Sequence, residues 1–178
     1  MEETEIERKW LVNINSAEKV LVDDVPMVAI KQAYLVSKDN ISTRIRKLDK
    51  APGYKMTVKT GTGLERKEFF TEIPDIVGDE IVKNLDTVII KDRYLYNYGD
   101  LLIEVDCFYK GLYGLVVAEI EFPSVEAAKS FTDIPEWFAK EVTEDRRYQN
   151  SNLAVTQKIP EELERPKIIP VISYEEYL

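Results

Sequence analysis

The stretch Glu5-Ile6-Glu7-Arg8-Lys9 (EIERK, 5–9), running on into Trp10, Leu11 and Val12, decides the fold. Read as a strand, it sends successive side chains to opposite faces. Glu5, Glu7 and Lys9 share one face, while Ile6, Arg8 and Trp10 share the other. Two carboxylates held about 7 Å apart by the strand rise repel each other unless water or a cation intervenes. Outward from this point the same alternation recurs, predicting strands at about 3–13, 28–37, 41–49, 53–61, 65–73, 87–97, 101–109 and 114–123. The connections KDN (38–40), DKAPG (49–53), TGTGL (60–64), NYGD (97–100) and KGLYG (110–114) carry turn chemistry. Short turns imply antiparallel neighbours, and eight such strands suggest a sandwich or a closed barrel.

Helical spacing is rarer. PDIVGDEIVKNL (74–85) repeats apolar residues at helical intervals with Asp75 near its start. SVEAAKSF (124–131) offers Ser124 as an N-cap, and PEWFAKEV (135–142) begins with proline at a first-turn position. EDRRYQNSNLAV (144–155) reads as a further helix. The segment 157–178, with Pro160, Pro166 and Pro170, reads as an irregular tail on a single domain spanning 1–156.

The 178 residues suffice for a real core, with 44% hydrophobic and 32% charged residues. A net charge of −9 argues against nonspecific nucleic-acid binding, which needs a basic surface. No run approaches the roughly 18 apolar residues of a membrane span, and the acidic start lacks the order of a signal peptide. One cysteine, Cys107, permits no internal disulfide, so a cytoplasmic location is expected. Histidine is absent, which leaves carboxylates, Lys, Arg, Tyr and a hard metal ion as the means of any catalysis. Trp10, Trp137 and the tyrosines at 94, 96, 98, 109 and 113 read as packing residues, and Cys107 as a buried thiol.

Charges of one sign are grouped strand by strand. Glu5/Glu7, Glu104/Asp106 and Glu119/Glu121 are acidic pairs at i, i+2; Arg44/Arg46 and Lys91/Arg93 are basic pairs at the same spacing, and Lys55/Lys59 share a face at i, i+4. Solvated faces usually mix signs, because like charges on adjacent same-face sites are unfavourable. Alternation alone defines two faces without saying which meets bulk water. If helices cover the apolar side, the charged side lines a lumen suited to a polyanion. Carboxylates there would hold a hard divalent cation and Lys/Arg would neutralise phosphate oxygens.

EIERKWLV resembles the Glu-x-Glu-x-Lys signature of the CYTH superfamily, the triphosphate tunnel metalloenzymes. TRIR (43–46), TVKTG (57–61), ERKEFFTEIP (65–74), KDRY (91–94), IEVDCF (103–108), GLVVAEIEFPS (114–124) and EVTEDRRYQNSNL (141–153) follow in that family's order. The last two resemble its short bacterial branch most. The resemblance covers about residues 3–155. It implies a mainly β (α+β) fold, an eight-stranded antiparallel closed barrel with a few helices packed outside. It also implies that Glu5, Glu7, Glu119 and Glu121, with Asp106 and Glu104 nearby, ligate Mg²⁺ or Mn²⁺. By the same resemblance Lys9, Arg44, Arg46, Lys59, Lys91 and Arg93 line the phosphates, joined by Arg66 and Arg147. Glu7 or Asp106 orients the attacking water, and Lys91 is counted with the catalytic groups. Phe70 stands where similar sequences often carry a third alternating glutamate, which removes a carboxylate from one wall.

The activity so implied is metal-dependent hydrolysis of a small-molecule triphosphate, foremost inorganic tripolyphosphate to pyrophosphate and phosphate. A class IV-type adenylyl cyclase, a nucleoside or thiamine triphosphatase, and a noncatalytic polyphosphate-binding module are the competing readings. Neither nucleic acid nor membrane is expected as a partner, and a homodimer is left open.

Overall fold

The computed structural model describes residues 2–13, 25–38, 40–49, 51–61 and 64–160. Among the described residues, nine strands form one sheet: β1 (Glu2–Val12), β2 (Met27–Lys38), β3 (Ile41–Leu48), β4 (Tyr54–Thr60), β5 (Glu65–Ile73), β6 (Val88–Tyr98), β7 (Leu101–Phe108), β8 (Val116–Glu121) and β9 (Phe138–Glu141). Their order is β5-β4-β3-β2-β6-β7-β8-β1-β9, and a further β5–β1 pairing closes the first eight into an antiparallel barrel. All eight expected strands are present. Turn residues Asp39, Lys50, Thr62 and Gly63, and positions 161–178 of the expected tail, lie outside the described residues.

Strand β1 is shared along its length. Its first half, Glu2 to Ile6, pairs with β5, and its second half, Glu7 to Leu11, pairs with β8. On the side that β5 leaves, β9 pairs Glu141 with Trp10 and Phe138 with Val12. Here PEWFAKEV departs from the expected helix. Buried backbone groups need partners, and the edge of β1 past Ile6 is buried. That tertiary demand overrides a weak local preference for helix.

Closure puts the apolar face outside. Ile6, Trp10, Ile103, Val105, Ala118 and Ile120 pack outward against Ala128 of α2 (Val125–Ser130) and against Trp137 and Phe138. Ser124 caps α2 as expected, its Oγ accepting from the Ala127 N–H at 3.0 Å. On the opposite side Ala33, Ile45 and Tyr54 are covered by Val82 of α1 (Asp75–Lys83). Gly78 lets α1 lie against Tyr54, since a Cβ there would come within 2.1 Å of the ring. Trp10 is 2% exposed and Trp137 7%, and Cys107 is a buried free thiol, as the packing reading expects.

EDRRYQNSNLAV is not one continuous helix. A 3₁₀ turn at Arg146–Tyr148 is separated by extended Gln149 from α3 (Asn150–Thr156). Tyr148, Leu153 and Ala154 pack on Leu11, Tyr34, Ile89, Phe108 and Val117, the apolar lower layer of the barrel's inner face. Helix α3 thus stoppers one end. Gln157, in the left-handed region at φ 50°, ends it and donates from Nε2 to the Val88 and Ala154 carbonyls at 2.9 and 2.8 Å.

Candidate active site in the barrel lumen

Cross-strand register stacks the charged residues inside the barrel. Glu7 faces Glu121 and Lys9 faces Glu119 across β1 and β8. Glu104 faces Glu119 across β7 and β8, and Arg93 faces Asp106 across β6 and β7. On the far wall Arg46 faces Lys55, Arg44 faces Thr57, Lys59 faces Glu68, and Arg66 faces Glu5. The result is a cavity of about 170 Å³ with an acidic wall and a basic wall. Glu5, Glu7, Glu104, Glu119 and Glu121 form the first, and Arg44, Arg46, Lys59 and Arg93 the second, with Glu68 and Asn150 completing it. Among the described residues that line it, none is aromatic or aliphatic.

The charges neutralise one another unevenly. Glu5 accepts from Lys59 Nζ at 2.6 and 2.8 Å and lies 2.8 Å from an Arg66 nitrogen. Burial works against its charge, but Lys59 and Arg66 outweigh it and hold the carboxyl below its ordinary value. Lys9 sits 2.8 Å from Glu119 and 3.5 Å from Glu7. Its burial is likewise outweighed by those two carboxylates, so it stays charged beyond the ordinary lysine range. Glu119 also takes Arg93 at 2.7 Å and, despite burial, stays far below the usual carboxylate range through Lys9 and Arg93.

Two groups are left short. Arg46 makes no ion pair among the described residues, and its Nε is buried without a hydrogen-bond partner. Burial, then the like charges of Arg44 and Arg93, bring it down to about 10. Arg44 is held by the Tyr34 hydroxyl and stands 4.0 Å from Glu68, with its own Nε unpartnered. Opposite, burial and the neighbouring Glu5, Glu104 and Glu7 push Glu121 up, and burial likewise raises Glu104 against the pull of Arg93. Among the described residues the lumen therefore holds one guanidinium, Arg46, and one carboxylate, Glu121, without an ion-pair partner, while Arg44 and Glu104 are held by Glu68 and Arg93.

Not every expected site residue reaches this cavity. Asp106 is 0% exposed and Lys91 1%; they pair with each other beneath it. Burial brings Lys91 down to about 8 even with Asp106 beside it. Asp106 also accepts from Arg93 Nε and a terminal nitrogen, each at 2.7 Å, and so orients that guanidinium. Arg66 pairs with Glu5 and Glu7 but does not itself line the cavity. Arg147 points away, bonded to Asp145 at 2.7 Å with half its side chain exposed. Lys55 lies 3.7 Å over the Phe70 ring, so Phe70 serves as its cation–π platform. Asn150 and Tyr34 are the contributors that sequence reading missed. Asn150 belongs to the EVTEDRRYQNSNL stretch, but only the stoppering position of α3 brings it to the lumen.

Among the described residues, no three carboxylates already converge as a metal cage, because their oxygens are turned to Lys and Arg. The fit lies in the donor set. The directly opposed pairs Glu7/Glu121 and Glu104/Glu119 are unfavourable as they stand, and oxygen donors so clustered suit a hard divalent ion.

The CYTH domain matches residues 3–159. An inorganic triphosphatase of Acetivibrio thermocellus is 40% identical over 152 residues, spanning 84% of this chain and 92% of that protein. An inorganic triphosphatase of Nitrosomonas europaea is 37% identical over 158 residues, spanning 86% and 98%. Among solved structures, the inorganic triphosphatase NE1496 superposes with a TM-score of 0.62 at 33% identity, covering 88% of this chain and 96% of that one. With a closed barrel, an inward charged face and a match over nearly its whole described length, this chain belongs to the CYTH domain family.

Proposed function

We infer that this protein hydrolyses inorganic tripolyphosphate to pyrophosphate and phosphate inside the barrel, with Mg²⁺ or Mn²⁺ as cofactor. The observation that carries this reading is the unneutralised Arg46 guanidinium beside Arg44, facing a wall of under-compensated carboxylates. A linear triphosphate bears roughly four to five negative charges near neutral pH, and planar guanidinium donors match phosphate oxygens bidentately. Two inorganic triphosphatases more than a third identical to this chain support the same substrate.

Arg44, Arg46, Lys59 and Arg93 would bind the phosphate chain. Lys9 stands on the acidic side and positions Glu119. Glu5, Glu7, Glu119 and Glu121, with Glu104, would hold the divalent ion. That ion, when bound, offsets charge on phosphoryl oxygens as a Lewis acid. In the resting lumen Glu5, Glu7, Glu104 and Glu119 are engaged by cations. On binding, Lys59 and Arg93 would turn to phosphate, and Glu5 and Glu119 would be left as oxygen donors able to hold the divalent ion. Glu7, at the cavity wall, is the carboxylate assigned to orient water for in-line attack. Asp106 and Lys91 act through Arg93, fixing its direction from below.

An adenylyl cyclase must cradle adenine, and none of the described residues lining the cavity is apolar. The test is phosphate release from tripolyphosphate, ATP and thiamine triphosphate, with and without Mg²⁺ or Mn²⁺, and products identified by phosphorus NMR. Preference for tripolyphosphate with equimolar phosphate and pyrophosphate is expected. Cyclic AMP from ATP, or binding of tripolyphosphate without turnover, would overturn the reading.

A further inference from the structure

Cross-strand register gives most of the lumen cations a carboxylate for a neighbour. Lys9 faces Glu119, Arg66 faces Glu5, Lys59 faces Glu68 and Arg93 faces Asp106. The two arginines of β3 are placed differently. Arg44 stands between Tyr34 on β2 and Thr57 on β4, and Arg46 between Gln32 on β2 and Lys55 on β4. Residues so opposed share a face with Cβ atoms about 4.5–5.5 Å apart, close enough for a carboxylate at either position to reach the guanidinium.

Gln32 stands out among these neighbours. It is 0% exposed, and its Nε2 donates to the Tyr34 hydroxyl at 3.2 Å. Its Oε1 is buried without a hydrogen-bond partner among the described residues, as is Nε of Arg46 directly across the strand pair. An unpaired buried acceptor is costly, and an apolar side chain of the same size would avoid that cost. A glutamate would satisfy Arg46 outright, but it would cancel the charge that the guanidinium offers to an anion. The amide lies between these extremes: polar beside the guanidinium, yet leaving its charge whole.

We propose that Gln32 is a positioning residue for the phosphate chain, acting through Arg46 as the neutral neighbour that reserves its guanidinium for a polyanion. The proposal rests on the reading of the tunnel as a phosphate site. Neither Gln32 nor Tyr34 is among the described residues that line the cavity, so Gln32 works without touching substrate. Its effect falls on binding, through the charge of Arg46, and only secondarily on turnover.

The test sets Q32E beside the near-isosteric Q32M, each in the wild-type chain and in R46Q, with melting curves taken before kinetics. In the wild-type background the introduced carboxylate meets Arg46, so ligand-free Q32E should melt at or above the wild type. Its KM for tripolyphosphate should rise about tenfold, with kcat changed less, the scale of diverting one charge-assisted contact. In R46Q the same carboxylate is buried without that partner, so there Q32E should lower the melting temperature and raise KM little further. Q32M adds no charge and should raise KM less than Q32E does. A glutamine that serves packing alone would not reverse the sign of the melting shift between the two backgrounds. A Q32E protein that melts below the wild type or fails to fold, a KM that it leaves unmoved, an equal rise in Q32M, or a Q32E effect that is the same with and without Arg46 would each overturn the proposal. If the wild type hydrolyses no tripolyphosphate, the functional reading fails separately. The sign of the Q32E melting shift in the two backgrounds, with calorimetric binding of tripolyphosphate, then decides the role of Gln32 by itself.

Discussion

Replacing Arg46 by glutamine separates the two demands on the lumen, stability and anion binding. Arg46 makes no ion pair among the described residues, and Arg44 and Arg93 oppose its charge. Removing it breaks no internal pair, so the ligand-free melting temperature of R46Q should equal or exceed that of the wild type. Substrate binding should suffer, because a hydrogen bond to a charged group contributes about 1.5–3 kcal/mol. That corresponds to a rise of about 10- to 150-fold in KM for tripolyphosphate. Lys9, by contrast, is 6% exposed and held between Glu119 and Glu7. Breaking a buried pair from one side costs about 3–5 kcal/mol, so K9Q should melt well below the wild type. Thermal melts without ligand, beside steady-state kinetics on both variants, make the comparison. An R46Q protein that melts several degrees lower with an unchanged KM would refute the view of Arg46 as a cation kept for substrate.

Other consequences follow from the same geometry. Glu121→Gln removes a carboxylate directly opposite Glu7, an unfavourable pairing of about 0.2–1 kcal/mol, so it should raise the metal-free melting temperature at pH 7 while lowering activity and abolishing the shift caused by Mn²⁺. Glu121 is protonated more easily in the folded chain than in the unfolded one, so the wild type gains on E121Q as pH falls. The gap should close near the ordinary glutamate value of 4.5, and a constant gap from pH 7 to 4 would contradict the assignment. Leu153→Ala should destabilise by about 2–5 kcal/mol, because Leu153 is fully buried in the stopper; chemical denaturation measures the loss. Gly78→Ala should destabilise by about 1–3 kcal/mol despite better helix propensity, since the added methyl meets the Tyr54 ring; an unchanged or higher melting point would show that the ring yields freely.

The strands were readable because a strand bounded by turns carries its period in local sequence. EIERK displayed its two faces outright, and register turned that alternation into opposed pairs. Which face lay inside was undecided until Val82, Ala128 and Trp137 were seen covering the apolar side. PEWFAKEV misleads because its composition suits a helix, while the edge of β1 that β5 leaves and β9 fills is a fact of closure. The stopper was hidden for a similar reason: Leu153 and Ala154 look like any apolar helix face until the lower barrel layer is assembled. Asp106 alternates with the tunnel carboxylates, yet depth along the barrel axis places it and Lys91 under the cavity. Periodicity records face and not depth.

The most direct test of the tunnel as a metal-dependent triphosphatase is Mg²⁺- or Mn²⁺-dependent phosphate release from tripolyphosphate by the wild type and by E5Q/E7Q. Release by the wild type that requires the metal and disappears in a folded E5Q/E7Q protein is the predicted result. Equal release by the two proteins, or none from a folded wild type, would contradict it.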